Sequence, residues 1–268
     1  MIVQHGNSMC QTLFQCCSPW QRLILFYAMK DDFISISNNL QGCFPLQRIL
    51  RLASLPEEVA IYEEAFKGHI LELSMTKNSS LVIKVLCERE NHHFIITEII
   101  GHARELATNK FGYVIMKKCV KDSQIFNELL EQAIMLIEDK YGNYVIQHMI
   151  DNMQEECSLS IINCIKGKAL ELCIQEYSSN VMNKCMKEER MRCAIINELI
   201  RGGSMQTVLE NPYGCYVLRT AALEAETGTE REGLKRAILV AIPQIREKNN
   251  SAWWEEIISY LNAPKSVN

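Results

Sequence analysis

Apolar and polar positions follow one another with helical spacing along most of the chain, and the clearest stretch is Asp139–Asp151, DKYGNYVIQHMID. On a helix, Val145, Ile146, Met149 and Ile150 fall on one side, where they can join a core. Residues three and four apart are neighbours, so Asn143, Tyr144 and Gln147 gather on the other side. That second face carries two carboxamides beside an aromatic ring. Carboxamides can pair with the edge of a nucleobase, and a ring can stack on its plane. An ordinary solvated helix surface has the same look, and one helix does not separate the two readings. Recurrence does.

The stretches QGCFPLQRIL, NSSLVIKVLC, FGYVIMKKCV, YGNYVIQHMI, YSSNVMNKCM and YGCYVLRTAA align on Gly42, Ser79, Gly112, Gly142, Ser178 and Gly214, with a further copy at Gly6 in HGNSMCQTLF. Successive copies are 36, 37, 33, 30, 36 and 36 residues apart. A period near 36 indicates stacked helical units, each unable to bury its apolar face alone. Short helices are expected near 4–14, 40–51, 77–88, 110–121, 139–151, 175–187 and 211–223. Longer helices precede them at Ser18–Met29 (Ser18 as N-cap), Glu57–Met75, Asn91–Ala107, Ser123–Glu138, 157–174 and Arg190–Ile200. Pro45 is tolerated only in a first turn, which places the start of its helix near Gly42. A C-terminal cap is expected over 228–262, with a helix over Gly228–Glu247 and Trp253–Trp254 serving its packing.

Here the chain resembles the Pumilio (PUF) family of RNA-binding repeat proteins. YGNYVIQHMI matches that family's repeat signature very closely, YSSNVMNKCM and NPYGCYVLRTA match it strongly, and all copies together cover nearly the whole chain. The resemblance implies an all-α fold, a right-handed superhelical solenoid forming one domain over 1–268, whose concave face binds single-stranded RNA. In that family each repeat reads one base: two side chains four apart address the base edge, and the residue after the first stacks between bases. The matching positions here include Asn143 and Gln147 with Tyr144, which suit uracil. Asn7 and Gln11 repeat that pair, with Ser8 a poor stacker. Cys43 and Gln47 with Phe44 resemble the adenine-reading trio, and Cys215 and Arg219 with Tyr216 present a cation that favours cytosine. Ser179, Asn180 and Asn183 resemble the guanine-reading repeat, except that the family has Glu where Asn183 stands, which puts guanine preference in doubt. Ser80, Leu81 and Lys84, and likewise Tyr113, Val114 and Lys117, replace amides by lysines and stackers by aliphatics. They are expected to touch phosphate or to tolerate any base.

Composition changes this picture little. An apolar content of 48%, with 12 Gly and 6 Pro in 268 residues, suits a continuous core without long linkers. A net charge of −4 argues mildly against indiscriminate nucleic-acid binding, although charge distribution outweighs the sum. The 12 cysteines contain no CxxC pair and no zinc spacing with histidine, so they read as reduced thiols in a cytoplasmic protein without cofactor or metal. His92–His93 are adjacent on a helix, do not face one another and lack a third ligand. No apolar run is long enough to span a bilayer, and no GxxxxGK[ST], GxGxxG, HExxH or GxSxG motif suggests an enzyme.

The expected partner is messenger RNA, recognised through untranslated regions by a monomer, with repressor or deadenylation proteins on the convex face. Two alternatives remain at this point. One is a repeat protein of the ribosome-assembly type that reads few bases. The other is an armadillo- or HEAT-like protein scaffold that never touches RNA.

Overall fold

The computed structural model describes residues 1–268 except 3, 90–91, 153, 227, 246–248 and 264–268. The expected helix start at Asn91 and the expected end at Glu247 lie outside the described residues. The chain forms two compact units, Met1–Glu131 and Gln132–Asn268.

The first unit holds α1 (Gln4–Cys16), α2 (Pro19–Met29), α3 (Phe33–Asn38), α4 (Cys43–Leu52), α5 (Pro56–Phe66), α6 (Ile70–Ser74), α7 (Ser79–Cys87), α8 (His93–Ile99), α9 (Ala103–Ala107), α10 (Gly112–Cys119) and α11 (Ser123–Glu131). The second holds α12 (Ala133–Glu138), α13 (Gly142–Asn152), α14 (Gln154–Ile165), α15 (Ala169–Cys173), α16 (Ser178–Cys185), α17 (Glu189–Arg201), α18 (Met205–Glu210), α19 (Pro212–Glu224), α20 (Thr229–Ala241) and α21 (Ser251–Asn262). Each unit is an all-α stack of repeats. In the first, α1, α4, α7 and α10 pack side by side as an inner row; in the second, α13, α16, α19 and α21 do so. Stability in such a stack comes from neighbour-to-neighbour packing. At the N-terminal end, rings of Phe14, Phe26, Phe33 and Phe66 follow one another at 5.8–6.0 Å between centroids.

The inner helices start where the period places them, and α4 begins at Cys43 with Pro45 inside its first turn. The glycine or serine at the start of each has one structural cause. A Cβ on Gly42, Gly112, Gly142 or Gly214 would lie 2.7, 2.6, 2.8 or 2.2 Å from the carbonyl oxygen six residues earlier. In the two serine copies the hydroxyl donates to that same carbonyl: Ser79 Oγ to Leu73 O at 2.8 Å and Ser178 Oγ to Leu172 O at 2.7 Å. The position accepts either no side chain or one that bonds the oxygen it crowds. Three residues earlier, the side chains of Asn39, Asn109, Asp139 and Asn211 accept from the backbone N–H groups two and three residues on, at 2.7–3.2 Å. Short polar side chains form such Asx turns readily.

The longer helices differ from expectation. Glu57–Met75, Asn91–Ala107 and 157–174 each read as one helix, but each is two: α5 and α6, α8 and α9, α14 and α15. Ser123–Glu138 is likewise interrupted between α11 and α12, and α18 follows α17 after a turn at Gly202 and Gly203. Gly68, Gly101, Gly167 and Gly203 have φ of +80°, +83°, +80° and +62°, a left-handed conformation that terminates a helix and favours glycine. The following repeat stabilises three of these breaks. Glu98 accepts from the N–H groups of Gly68 and Ile70, Glu128 from those of Gly101 and Ala103, and Glu198 from those of Gly167 and Ala169, at 2.7–3.3 Å.

Buried arginines join other neighbours. Arg22 Nε donates to Glu58 Oε1 at 3.1 Å, and Arg192 Nε to Glu230 Oε1 at 2.8 Å. Arg231 donates to the carbonyls of Leu261 (3.0 Å) and Ala263 (2.8 Å) and to that of Tyr260, closing the C-terminal end of α21. Cationic groups are favourable at that end of a helix.

Candidate nucleic-acid interface

The first residue of most trios lies in the first turn of its helix, and in five of them its side chain turns down onto carbonyls that precede the helix. Asn143 Nδ2 donates to Asp139 O (2.8 Å) and Lys140 O (2.9 Å). Ser179 Oγ donates to Glu176 O at 3.1 Å, Ser80 Oγ to Lys77 O at 3.4 Å, and Cys43 Sγ approaches Leu40 O at 3.5 Å. Cys215 Sγ is 3.1 Å from Leu209 O. Asn143 is 1% exposed, and Cys43, Ser179 and Cys215 are as deeply covered. The expectation of two carboxamides side by side on an exposed face is therefore corrected: Asn143 is buried and Gln147 lies across it.

The stacking positions stand outside. Tyr144 is 48% exposed and Phe44 52%. Tyr216 and Leu81 are exposed as well, and Asn180 is exposed with its amide held by Glu176 O at 3.1 Å. In the Gly112 copy, Tyr113 and Val114 are only half-exposed.

The fifth positions are half-buried, and each is held differently. Gln147 Nε2 donates to Asn143 Oδ1 at 2.9 Å, and Gln11 Nε2 donates to Asn7 Oδ1 in the same way. Both uracil-type pairs are thus closed on themselves, and in the N-terminal pair Gln11 Oε1 also accepts from Arg48 Nη1 at 3.4 Å while Asn7 Nδ2 donates to Gln41 O at 2.8 Å. A base must open each pair or bind its outer side. Gln47 Nε2 donates to Cys43 O at 3.1 Å, leaving its oxygen as a free acceptor. Asn183 Nδ2 donates to Tyr216 Oη at 3.0 Å, so two neighbouring trios share a bond. Lys84 and Lys117 are half-buried, with no ion pair among the described residues.

Charge and protonation refine the chemistry. Burial pushes the Cys43 thiol up and that of Cys215 to about 11, so both act as small neutral groups. Arg219 Nε donates to Glu256 Oε1 at 2.9 Å and its Nη2 to Tyr260 Oη at 3.1 Å. The Tyr260 hydroxyl, followed by Arg219, holds the Glu256 carboxyl below its ordinary value. Lys110 and Lys140, two residues before the repeat glycine, lie 5.7 and 5.6 Å from the ring centroids of Phe111 and Tyr141.

Glu256 and Tyr260 are not marked by the sequence reading, which gives α21 a packing role alone. A signal existed: Asn250 lies 36 residues after Gly214, and buried Trp254 and Ile257 repeat the spacing of Leu218 and Ala221. Trp254 packs as expected, its Nε1 donating to Leu209 O at 2.9 Å, while Trp253 is 36% exposed. Among the described residues no His, Cys, Asp and Glu cluster could hold a metal ion, and no helix is long and apolar enough to cross a membrane.

These features define a class: an all-α repeat protein in which the inner helices α4, α13 and α19 each present an exposed aromatic ring beside two side chains four residues apart. A family model described as "Pumilio-family RNA binding repeat" matches residues 4–29, 132–166, 168–200 and 210–219. Pumilio homolog 12 of Arabidopsis thaliana is 29% identical over 279 residues, covering 99% of this chain and 46% of that protein. A Pumilio domain-containing protein of Schizosaccharomyces pombe is 26% identical over 272 residues, covering 97% of this chain and 39% of the other. The chain thus spans less than half the length of these relatives. Among solved structures, the Puf4 RNA binding domain bound to the HO endonuclease RNA 3′ UTR recognition sequence superposes with a TM-score of 0.89 at 26% identity, over 97% of this chain and 85% of that one. A Puf4 variant bound to the Cox17 RNA 3′ UTR recognition sequence gives 0.90 at 26%, over 98% and 93%. The chain is similar to proteins of the Pumilio family, and its fold is that of the Puf repeat solenoids.

Proposed function

We propose that the chain binds single-stranded RNA in a sequence-selective way and acts on messenger RNAs through their 3′ untranslated regions. The observation that carries this reading is the Asn143–Gln147 amide pair beside the exposed Tyr144 ring, repeated in form by Asn7–Gln11. Support comes from the Puf4 domains of 26% identity, each bound to a 3′ UTR recognition sequence. The same reading makes it a monomeric cytoplasmic binding protein rather than an enzyme, with repressor or deadenylation proteins as partners. From the Gly214 copy back to Gly6, the bases read are C, one left open because Asn183 stands where a guanine reader has Glu, U, two unspecified, A and U. Lys84 and Lys117 contribute phosphate contact at the unspecified pair.

Tyr144 provides the experiment. Stacking on an aromatic is worth about 1–3 kcal/mol per base, so Tyr144→Ala should weaken binding of an RNA carrying this word by about tenfold or more. The ring is half exposed, and circular dichroism should stay unchanged. An unaltered titration curve with a normally folded variant would take Tyr144 out of the interface.

A further inference from the structure

The C-terminal helix α21 packs on α19 as α19 packs on α16, and it brings two side chains to the proposed cytosine reader. Arg219 Nε donates to Glu256 Oε1 at 2.9 Å, and Nη2 donates to Tyr260 Oη at 3.1 Å. Tyr260 Oη in turn donates to Glu256 Oε1 at 2.5 Å, and the guanidinium lies 5.5 Å from the Tyr260 ring centroid. The three groups form a closed triangle. Arg219 is 34% and Glu256 37% exposed in their side chains, so the triangle sits at the surface beside half-exposed Tyr216.

A free arginine is a poor base reader, because its long side chain samples many rotamers and its charge attracts any phosphate. Here one side of the guanidinium, Nε and one Nη2 hydrogen, is occupied. What remains is the end of the fork, Nη1 with the second Nη2 hydrogen, which is two parallel donors in a fixed plane. Cytosine meets that end with N3 and O2, two adjacent acceptors. Uracil sets an N–H donor between its two carbonyls, so one guanidinium donor would face another donor. The carboxylate also offsets the positive charge, which weakens attraction to phosphate and leaves geometry to discriminate.

We propose that Glu256 and Tyr260 are positioning residues that make Arg219 selective for cytosine. The proposal rests on the reading of this face as an RNA site. It goes beyond that reading by giving the terminal helix a part in specificity as well as in closing the stack.

The test uses the full chain and two RNAs that differ only by C or U at the base facing the Gly214 repeat. A bidentate contact discriminates by about 1–3 kcal/mol in base readout generally, so wild type should favour C by about tenfold or more. Glu256→Met and Tyr260→Phe nearly keep the volume of α21 and remove the anchors. Each should lose most of the C preference by weakening the C-containing RNA, while the U-containing RNA holds or gains affinity from the released cation. Four results would overturn the role: an unchanged C/U ratio, equal weakening of both RNAs, stronger C binding with preference retained, or a wild type that binds both alike. The third would mean that Glu256 sequesters Arg219 instead of aiming it. A wild type that binds neither RNA would refute the RNA reading itself.

Discussion

The double variant Asn143→Ser, Gln147→Glu is expected to exchange uracil for guanine at the base read by α13. Uracil's edge offers acceptors flanking one donor, which an amide pair can meet. Guanine offers two adjacent donors, which a carboxylate accepts better. The structure makes the exchange feasible. Ser179 and Ser80 both bond the carbonyl three residues back, and Asn143 already bonds the equivalent Lys140 O, so a serine at position 143 has its anchor waiting. The carboxylate introduced at position 147 would have no amide partner on α13 and would point its oxygens outward. With about 1–3 kcal/mol of discrimination per good pair, the U/G preference should shift by at least about tenfold. Tyr144 is untouched and keeps the stacking contribution. Paired binding curves for two RNAs differing at that base decide it: if both proteins prefer the same RNA, Asn143 and Gln147 do not read the base.

Glu58→Ala is expected to destabilise the first unit severely. Glu58 is fully buried: Oε1 accepts from Arg22 Nε at 3.1 Å, and Oε2 accepts from the backbone N–H groups of Ser54 (2.7 Å) and Leu55 (2.9 Å) at the start of α5. Removal strands a guanidinium that is only about 10% exposed, together with two backbone donors. Breaking a buried pair in this way costs about 3–5 kcal/mol. Native stabilities of about 5–15 kcal/mol leave little room for that loss. Removing both charges, as in Arg22→Met with Glu58→Leu, should cost clearly less, since no buried charge is then unpaired. Urea unfolding followed by circular dichroism measures both. A single variant within about 1 kcal/mol of wild type would show that the pair does not hold α2 to α5.

The inner helices are legible in the sequence because their signal is local and periodic. Val145, Ile146, Met149 and Ile150 are all buried as the pattern requires, and Ser18 caps α2 by accepting from Gln21 N at 3.4 Å. What stays hidden depends on groups far apart in the chain. Gly68 and Gly101 sit inside segments that read as continuous helix, and their positive φ is supported by Glu98 and Glu128 of the next repeat. A helical projection does not show the burial of Asn143, because it treats every position as interior to the helix. Asn143 lies one residue after its start, where the loop carbonyls of Asp139 and Lys140 are within reach. Glu256 leaves no local mark because its partner Arg219 is 37 residues away, and the pattern of the cap shows only its apolar side.

Selection of bound RNA from a random pool tests the central claim most directly. One base per inner helix, with uracil at α13 and adenine at α4, requires an enriched short motif in single-stranded RNA with U followed three positions later by A. An enriched motif lacking that U and A spacing, enrichment of structured RNA without a motif, or no enrichment would contradict it.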